Sequence, residues 1–188
     1  MDLSEINWPL TGIDAFGLTI GHWRIHALGI YKREIFGKAY ENFDLKTYNA
    51  DEVITRKVFL NCKRIDISKS IYYYYIHNTS TCHRMSDCYE QSIQSQLKVI
   101  DVAIKSGLYE KFKREFDSHN FKICVKAYRE SKKKSRNIIL KKRIKVLSSF
   151  ISSSYVVKNL LFSRKLNNRR FALKLIYIRM LIKFIHRL

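Results

Sequence analysis

The sequence predicts an α+β fold, in which a short mixed sheet with its helices is followed by a basic, all-helical extension. Residues 49–76 change from helical periodicity to two stretches typical of β-strands, whereas from Tyr89 onward apolar residues recur only at helical spacing. Charge divides the chain in a similar way. Residues 1–100 contain 12 Lys+Arg and 11 Asp+Glu, whereas residues 101–188 contain 24 and 5, so the second half carries nearly the whole net charge of +20.

An amphipathic helix is predicted to begin near Asn49. Either Asn49 or Asp51 can cap the free backbone N–H groups of its first turn. Apolar residues then recur at helical spacing, and the basic residues, Arg56 among them, are expected outside the apolar face. That face consists of Val53, Ile54, Val58 and Leu60. The adjacent acids Asp51 and Glu52 would therefore lie at the mouth of this helix.

Two β-strands are predicted after this helix. Residues 62–67 alternate charged residues with isoleucine, and residues 71–76 contain four consecutive tyrosines between two isoleucines. The polar end of the second strand carries His77 and Ser80. Helix N-termini and strand ends are where α/β proteins hold reactive groups, so the acidic pair and this polar cluster are candidate site residues.

Together these elements resemble the acceptor half of family 2 glycosyltransferases, which are inverting enzymes with a GT-A fold that assemble polysaccharides and glycolipids. In that family an acidic pair opens a helix with a Thr-Arg-like stretch, and a tyrosine-rich strand is followed by His-x-x-Ser. The matching residues here are Asp51, Glu52, Thr55, Arg56, Tyr73, Tyr74, Tyr75, His77 and Ser80, and residues 27–36 resemble a further family segment. Ile76 departs from the pattern, because many members carry arginine there.

The resemblance implies a role for each matched site residue. Asp51 would act as the general base that takes the proton from the acceptor hydroxyl as it attacks the sugar donor, with Glu52 secondary. Trp23, His77 and Ser80 would bind the acceptor or substrate. Without the resemblance, Asp51 would be interpreted as a helix cap and His77 as a surface histidine at a strand end.

The nucleotide-binding half of such an enzyme is not recognisable in the sequence. No glycine-rich phosphate loop follows a strand, and no Asp-x-Asp pair is present to hold a metal ion against a diphosphate. The resemblance therefore implies the C-terminal piece of a transferase that is not competent alone. Nucleotide sugar, a glycan or lipid-linked acceptor, and Mg²⁺ or Mn²⁺ are expected only together with an N-terminal half.

The second half of the chain is predicted to be helical. The periodicity predicts helices over residues 89–106, 108–118, 120–130, 137–154 and 157–187, with a break at Gly107. We accordingly expect an acceptor-side domain over residues 1–88 and a basic helical extension over residues 89–188.

The basic extension admits three interpretations. Residues 170–187 interleave Leu, Ile and Phe with a cation about every four positions, which suits an interfacial helix on anionic lipid but not a membrane span. A solvated helix pair is the second interpretation. Nucleic-acid binding is the third, suggested by the basic runs at residues 132–136 and 141–143. If the chain is not a transferase piece, it is a non-catalytic basic helical protein that binds anionic membrane or nucleic acid.

Cysteine usage and the N-terminal sequence suggest a cytoplasmic protein, peripheral on the inner face of the cell membrane where the basic helices bind lipid. The four cysteines form no C-x-x-C pair, and Cys82, His83 and Cys88 match zinc-site spacing poorly, so reduced thiols are expected. No basic segment followed by an apolar stretch marks a signal peptide at the N-terminus.

Overall fold

A computed structural model of the chain describes residues 5–25, 29–41, 43, 49–68, 71, 73, 88–133 and 138–185. Within these residues the secondary structure consists of eight α-helices without a β-strand. The helices are α1 (Gly12–Thr19), α2 (Arg33–Tyr40), α3 (Ala50–Asn61), α4 (Cys88–Lys105), α5 (Lys113–Lys133), α6 (Ile138–Ser149), α7 (Ser153–Phe162) and α8 (Leu166–Ile185). The predicted α+β fold is therefore wrong, although the predicted helix after Asn49 and the helical second half are confirmed.

The predicted sheet fails because its first strand has almost no partner. After α3, residues 62–67 leave the helical conformation, and Ile65 forms a single antiparallel bridge with Leu10, with both N···O distances 2.8 Å. No other described segment extends this bridge into a ladder. The predicted second strand lies outside the described residues except for Ile71 and Tyr73, whose side chains are exposed.

The resemblance to the acceptor half of a GT-A glycosyltransferase is contradicted by this architecture. In that fold a mixed sheet positions the acceptor-side residues, whereas in the described part of this chain helices alone do so. Local alternation of charged and apolar residues is enough to favour an extended backbone, but a sheet also needs a neighbouring strand with matching register. That requirement is not visible in a short motif.

The chain divides into two compact units, Met1–Phe112 and Lys113–Leu188. In the first unit α1, α2 and α4 each pack against α3. In the second unit α5 packs against α6 and α8, and α7 packs against α8. The helix α4, which begins at the start of the predicted extension, thus belongs to the first unit.

Helix α3 is the centre of the first unit. Its Phe59 lies in a buried cluster with Ile6, Leu10, Ala15 and Ile25, while Ile54 and Val58 pack on Ala39 of α2. Helix α1 approaches α3 so closely that a Cβ atom on Gly12 would lie 2.1 Å from the Phe59 carbonyl oxygen. Only glycine is compatible with this contact, so Gly12 sets the distance between the two helices.

A capping box begins α1. The Asp14 backbone N–H donates to the Thr11 hydroxyl oxygen at 3.2 Å, and the Asp14 carboxylate accepts from the Thr11 backbone N–H and hydroxyl. These bonds satisfy donors at the start of the helix that have no partner within it. The bonds from Thr11 lower the pKa of Asp14.

Gly107 ends α4 as predicted. It adopts φ +67°, and the backbone N–H groups of Leu108 and Gly107 donate to the carbonyls of Ala103 and Ile104 at 2.8 and 3.0 Å. This pair of bonds is the Schellman arrangement, in which a left-handed residue closes the helix C-terminus. A residue with a Cβ would be strained there.

An aromatic cluster forms much of the core of the second unit. Phe121 of α5 makes edge-to-face contacts with Tyr155 of α7 and Phe171 of α8, with ring centroids 5.8 and 5.4 Å apart. Tyr128 also contacts Phe171, at 5.6 Å. Such pairs add to the stabilisation from burying apolar area, by about 0.5–1.5 kcal/mol each. Three of the four described helices of this unit, α5, α7 and α8, thereby meet at Phe121.

Candidate functional site

The predicted acidic pair does open α3, but its two carboxylates have different environments. Asp51 is exposed, whereas Glu52 is half-buried. Asn49 is the N-cap residue, in a left-handed conformation with φ 64°, and its side chain makes no capping hydrogen bond. The side-chain cap predicted for Asn49 is therefore wrong, and the acidic residues of the first turn complement the helix dipole instead.

Glu52 is paired with Arg56, one turn further along α3. The Arg56 Nη1 atom lies 3.4 Å from Glu52 Oε2 and donates to the Glu52 carbonyl oxygen at 2.9 Å. The Arg56 side chain is only 1% exposed, so the prediction that it lies outside the apolar face is wrong. Position 56 is three residues from both Val53 and Phe59, and helical geometry therefore puts it on the core face.

Arg56 also connects α3 to α1 and to Trp23. Its Nη2 atom donates to the Thr19 carbonyl oxygen at 2.8 Å, at the C-terminal end of α1. Its guanidinium carbon lies 4.5 Å from the centroid of the Trp23 ring, and Trp23 hydrogen-bonds the Glu52 carboxylate. Two predicted site residues, Glu52 and Trp23, are thus brought together by an arginine to which the sequence analysis gave no site role.

Burial dominates the electrostatics of this cluster. It raises the pKa of Glu52, and the opposing effects of the Arg56 charge and of hydrogen bonds from Arg56 and Trp23 are smaller. Burial likewise lowers the pKa of Arg56, with Glu52 acting in the opposite direction. The arrangement therefore orients the end of α1, Trp23 and the start of α3, and leaves Asp51 as the exposed carboxylate of the pair.

His77 and Ser80 lie outside the described residues, so their predicted relation to Asp51 and Trp23 stays a prediction. Among the described residues no group of three His, Cys, Asp or Glu side chains is close enough to hold a metal ion. Cys62 and Cys124 are free thiols, and burial raises the pKa of both.

The second unit carries the cationic surface. Residues 113–188 contain 22 Lys+Arg and 3 Asp+Glu, a net charge of +19, and no acid follows Glu130. Most cations of its described helices are exposed. They are Arg114, Lys122, Lys126 and Arg129 on α5, Lys141, Lys142 and Lys145 on α6, Lys158 on α7, and Arg169, Arg170 and Lys174 on α8. The excess of cations was predicted, whereas the absence of acids after Glu130, although visible in the sequence, was not used.

Exposed apolar side chains accompany these cations. Large hydrophobic residues that remain exposed include Ile138, Ile139 and Val146 on α6, Val157, Leu161 and Phe162 on α7, and Leu166, Leu173, Tyr177 and Met180 on α8. The first unit also exposes large hydrophobic residues, so what distinguishes the second unit is that its exposed apolar side chains accompany a large excess of cations.

One buried carboxylate connects the helices of the second unit. Asp117 of α5 accepts from the backbone N–H of Ser152 at 2.8 Å and from the Ser152 hydroxyl. Ser152 is the N-cap of α7 and accepts from the Tyr155 backbone N–H. Arg179 of α8 donates to the carbonyls of Ser148 and Ile151 in the same corner. Asp117 is thus used internally and does not offset the cations on the surface.

Among the described helices none has both the length and the apolar character required to cross a membrane. The chain matches no protein-family model, and no curated protein or solved structure is significantly similar to it.

Proposed function

We propose that this chain is a non-catalytic, basic helical protein whose second unit binds anionic membrane surfaces. The observation that carries the proposal is the combination found in residues 113–188, where a net charge of +19 coincides with exposed Leu, Phe, Tyr and Met side chains on α7 and α8. Cations near an anionic bilayer contribute about 1 kcal/mol each, and apolar side chains add a contribution that salt does not screen.

The apolar residues favour membrane over nucleic acid. Nucleic-acid binding is dominated by phosphate contacts, which the exposed Lys and Arg would satisfy without any Leu or Met. Exposed Leu166, Leu173 and Met180 gain nothing against a phosphate backbone, whereas the acyl boundary of a bilayer buries them. Nucleic-acid binding is therefore the outcome against which the proposal is tested.

Sugar transfer to a saccharide or lipid-linked acceptor stays a prediction. The observation relevant to it is that Asp51 is exposed while Glu52 is held by Arg56 and Trp23. If the chain were complemented by a nucleotide-binding half, Asp51→Asn should lower turnover by about 10²–10⁴-fold, the usual contribution of a general base. Turnover close to that of the unaltered chain would remove Asp51 from this role.

The proposal is tested by flotation of the full chain with vesicles of phosphatidylcholine alone or of phosphatidylcholine with phosphatidylserine. At low salt the chain should be recovered with the anionic vesicles and much less with the neutral ones, because only the anionic surface attracts the cations. Moderate salt should weaken this recovery only in part.

Two results would contradict the proposal. One is equal recovery with neutral and anionic vesicles, which would make the cations irrelevant. The other is the absence of recovery with either vesicle while duplex DNA binds with a steep dependence on salt. Deletion of α8 is not a suitable control, because Phe171, Ala172 and Leu175 of that helix lie in the core of the unit.

A further inference from the structure

The outward side of α8 carries an ordered apolar stripe. Leu166, Leu173, Tyr177 and Met180 are separated by seven, four and three residues, a spacing that places them on one face of a helix. All four are more than half exposed, at 59%, 54%, 63% and 65%. We call these four residues the α8 stripe.

The opposite side of α8 is fixed in the protein. Phe171, Ala172 and Leu175 are buried, and Phe171 contacts Phe121 and Tyr128. Arg179, near the C-terminal end, donates to the carbonyls of Ser148 and Ile151. These contacts set the rotation of α8 about its axis, so the α8 stripe cannot turn inward without breaking the core of the unit.

Cations flank the α8 stripe. Arg169, Arg170 and Lys174 are exposed and lie between Leu166 and Tyr177 in the chain. The Arg169 Nε atom donates to the Leu160 carbonyl oxygen of α7 at 3.0 Å, and the Lys174 ammonium lies 4.5 Å from the Tyr128 ring centroid of α5, so both side chains contact a neighbouring helix while they remain exposed. No acid occurs anywhere in α8 to offset them.

This combination identifies the occupant of the surface by its chemistry. Its partner must be anionic at the level of the cations and hydrocarbon-like at the level of the stripe. An anionic lipid bilayer offers both within a few ångströms of depth, since headgroups lie directly above the acyl boundary. Tyr177 suits the same place, because tyrosine has an apolar ring and a polar hydroxyl and is enriched at membrane interfaces.

We infer that α8 lies parallel to an anionic bilayer, with the α8 stripe immersed at the acyl boundary and Arg169, Arg170 and Lys174 among the headgroups. This inference rests on the proposed function and adds the face and the orientation by which it is carried out. The exposed faces of α6 and α7 then lie either beside this contact between α8 and the bilayer or on a side of the unit that faces away from it.

The test compares two triple substitutions in the full chain. The first, Leu173→Gln with Tyr177→Gln and Met180→Gln, removes the apolar character of the stripe while keeping helix-compatible residues. The matched control, Ile138→Gln with Ile139→Gln and Val146→Gln, changes three apolar residues of α6 whose exposures, 50–65%, are similar. Circular dichroism and thermal unfolding check that both variants fold.

Affinity for vesicles containing phosphatidylserine is measured for each variant at moderate salt. The α8 variant should bind at least about tenfold more weakly, because the contribution it removes is the one that salt does not screen. The α6 control should bind within about twofold of the unaltered chain, as expected for a face outside the contact.

A second readout does not depend on the triple variants. Leu173→Trp places an indole in the α8 stripe and Val146→Trp places one on α6, and brominated lipids should quench the first more strongly than the second once Trp8 and Trp23 are subtracted. Unchanged affinity of the α8 variant, equal losses in both triple variants or equal quenching at both positions would overturn this inference while leaving anionic membrane binding intact. Failure of the unaltered chain to bind anionic vesicles would instead overturn the proposed function.

Discussion

The two units of this chain use charge in opposite ways. Residues 1–112 contain 14 Lys+Arg and 13 Asp+Glu, a net charge of +1, whereas residues 113–188 contain 22 and 3, a net charge of +19. In each unit, nevertheless, a buried polar junction among the described residues connects helices. In the first unit it is Arg56 with Glu52 and Thr19, and in the second it is Asp117 with Ser152.

The difference in charge between the two units bears on which of them carries the proposed function. In the first unit the buried charge is a cation, Arg56, whose carboxylate partner Glu52 lies beside it on the same helix. In the second unit the buried carboxylate of Asp117 binds the N-cap residue of a neighbouring helix, and the sequence contains no acid after Glu130. The positive charge of the chain is therefore concentrated in the second unit, which is the unit that we propose to bind an anionic surface.

The largest expected effect is the loss of the junction in the first unit. Arg56→Met removes the cation beside the half-buried Glu52 and the donor to the Thr19 carbonyl, and breaking a buried pair in this way costs about 3–5 kcal/mol in the free energy of unfolding. Urea denaturation followed by tryptophan fluorescence measures this unit selectively, because Trp8 and Trp23 are the only tryptophans in the chain.

Arg64→Met is the matched control for this measurement. Arg64 makes an ion pair with Asp66 at 2.9 Å in which both side chains are exposed, and such pairs contribute about 0–1 kcal/mol. Similar losses for the two variants would mean that Arg56 is not the centre of the first unit.

A smaller loss is expected from the junction in the second unit. Asp117→Ala removes the acceptor of the Ser152 backbone N–H and hydroxyl, which leaves buried donors without a partner and costs about 1–3 kcal/mol. Thermal unfolding followed by circular dichroism detects the change. Glu115→Ala, an exposed acid on the same helix, should leave the transition nearly unchanged. If Glu115→Ala had the larger effect, the stability of this unit would depend on surface charge and not on the junction.

The smallest expected effect is a pH dependence of the free energy of unfolding that arises from Glu52 in the first unit. Because burial raises the pKa of Glu52 in the folded state, the native protein holds a proton that the unfolded chain has lost above about pH 4.3. The Glu52 contribution to stability is therefore fully present at lower pH and is lost as the pH rises through the native pKa.

Glu52→Gln should remove this part of the pH dependence. We expect the free energy of unfolding of the unaltered chain to fall more steeply with rising pH in this window than that of the variant. Parallel pH profiles for the two chains, followed by tryptophan fluorescence, would show that Glu52 titrates as an ordinary exposed carboxylate.

Helices were predicted well where a residue at the helix end has a strong conformational preference of its own. Gly107 was readable as a stop because a helix C-terminus favours the left-handed conformation that glycine adopts. The predicted helix over residues 137–154 instead ends at Ser149, because Ser152 caps the next helix. That cap was visible as a serine run, but its hydrogen bond to Asp117, 35 residues away, was not.

Non-local requirements account for the failures. Residues 62–67 alternate as a strand does, but within the described part of the chain they pair only with Leu10, and the presence of a neighbouring strand cannot be inferred from alternation. Arg56 was assigned to the solvent side because it is charged, although its position between Val53 and Phe59 puts it on the core face. Of the predicted site, Glu52 and Trp23 do meet, but through an arginine that the pattern alone did not identify.

The central claim is that the second unit binds an anionic bilayer through cations and apolar side chains together. A salt titration of the affinity of the full chain for vesicles containing phosphatidylserine, with duplex DNA measured in parallel, tests it most directly. We expect vesicle affinity to fall with salt and then to level off, because burial of the α8 stripe is not screened, while any DNA binding falls steeply throughout. Vesicle binding that disappears at moderate salt, together with tighter binding to DNA than to vesicles, would contradict the account.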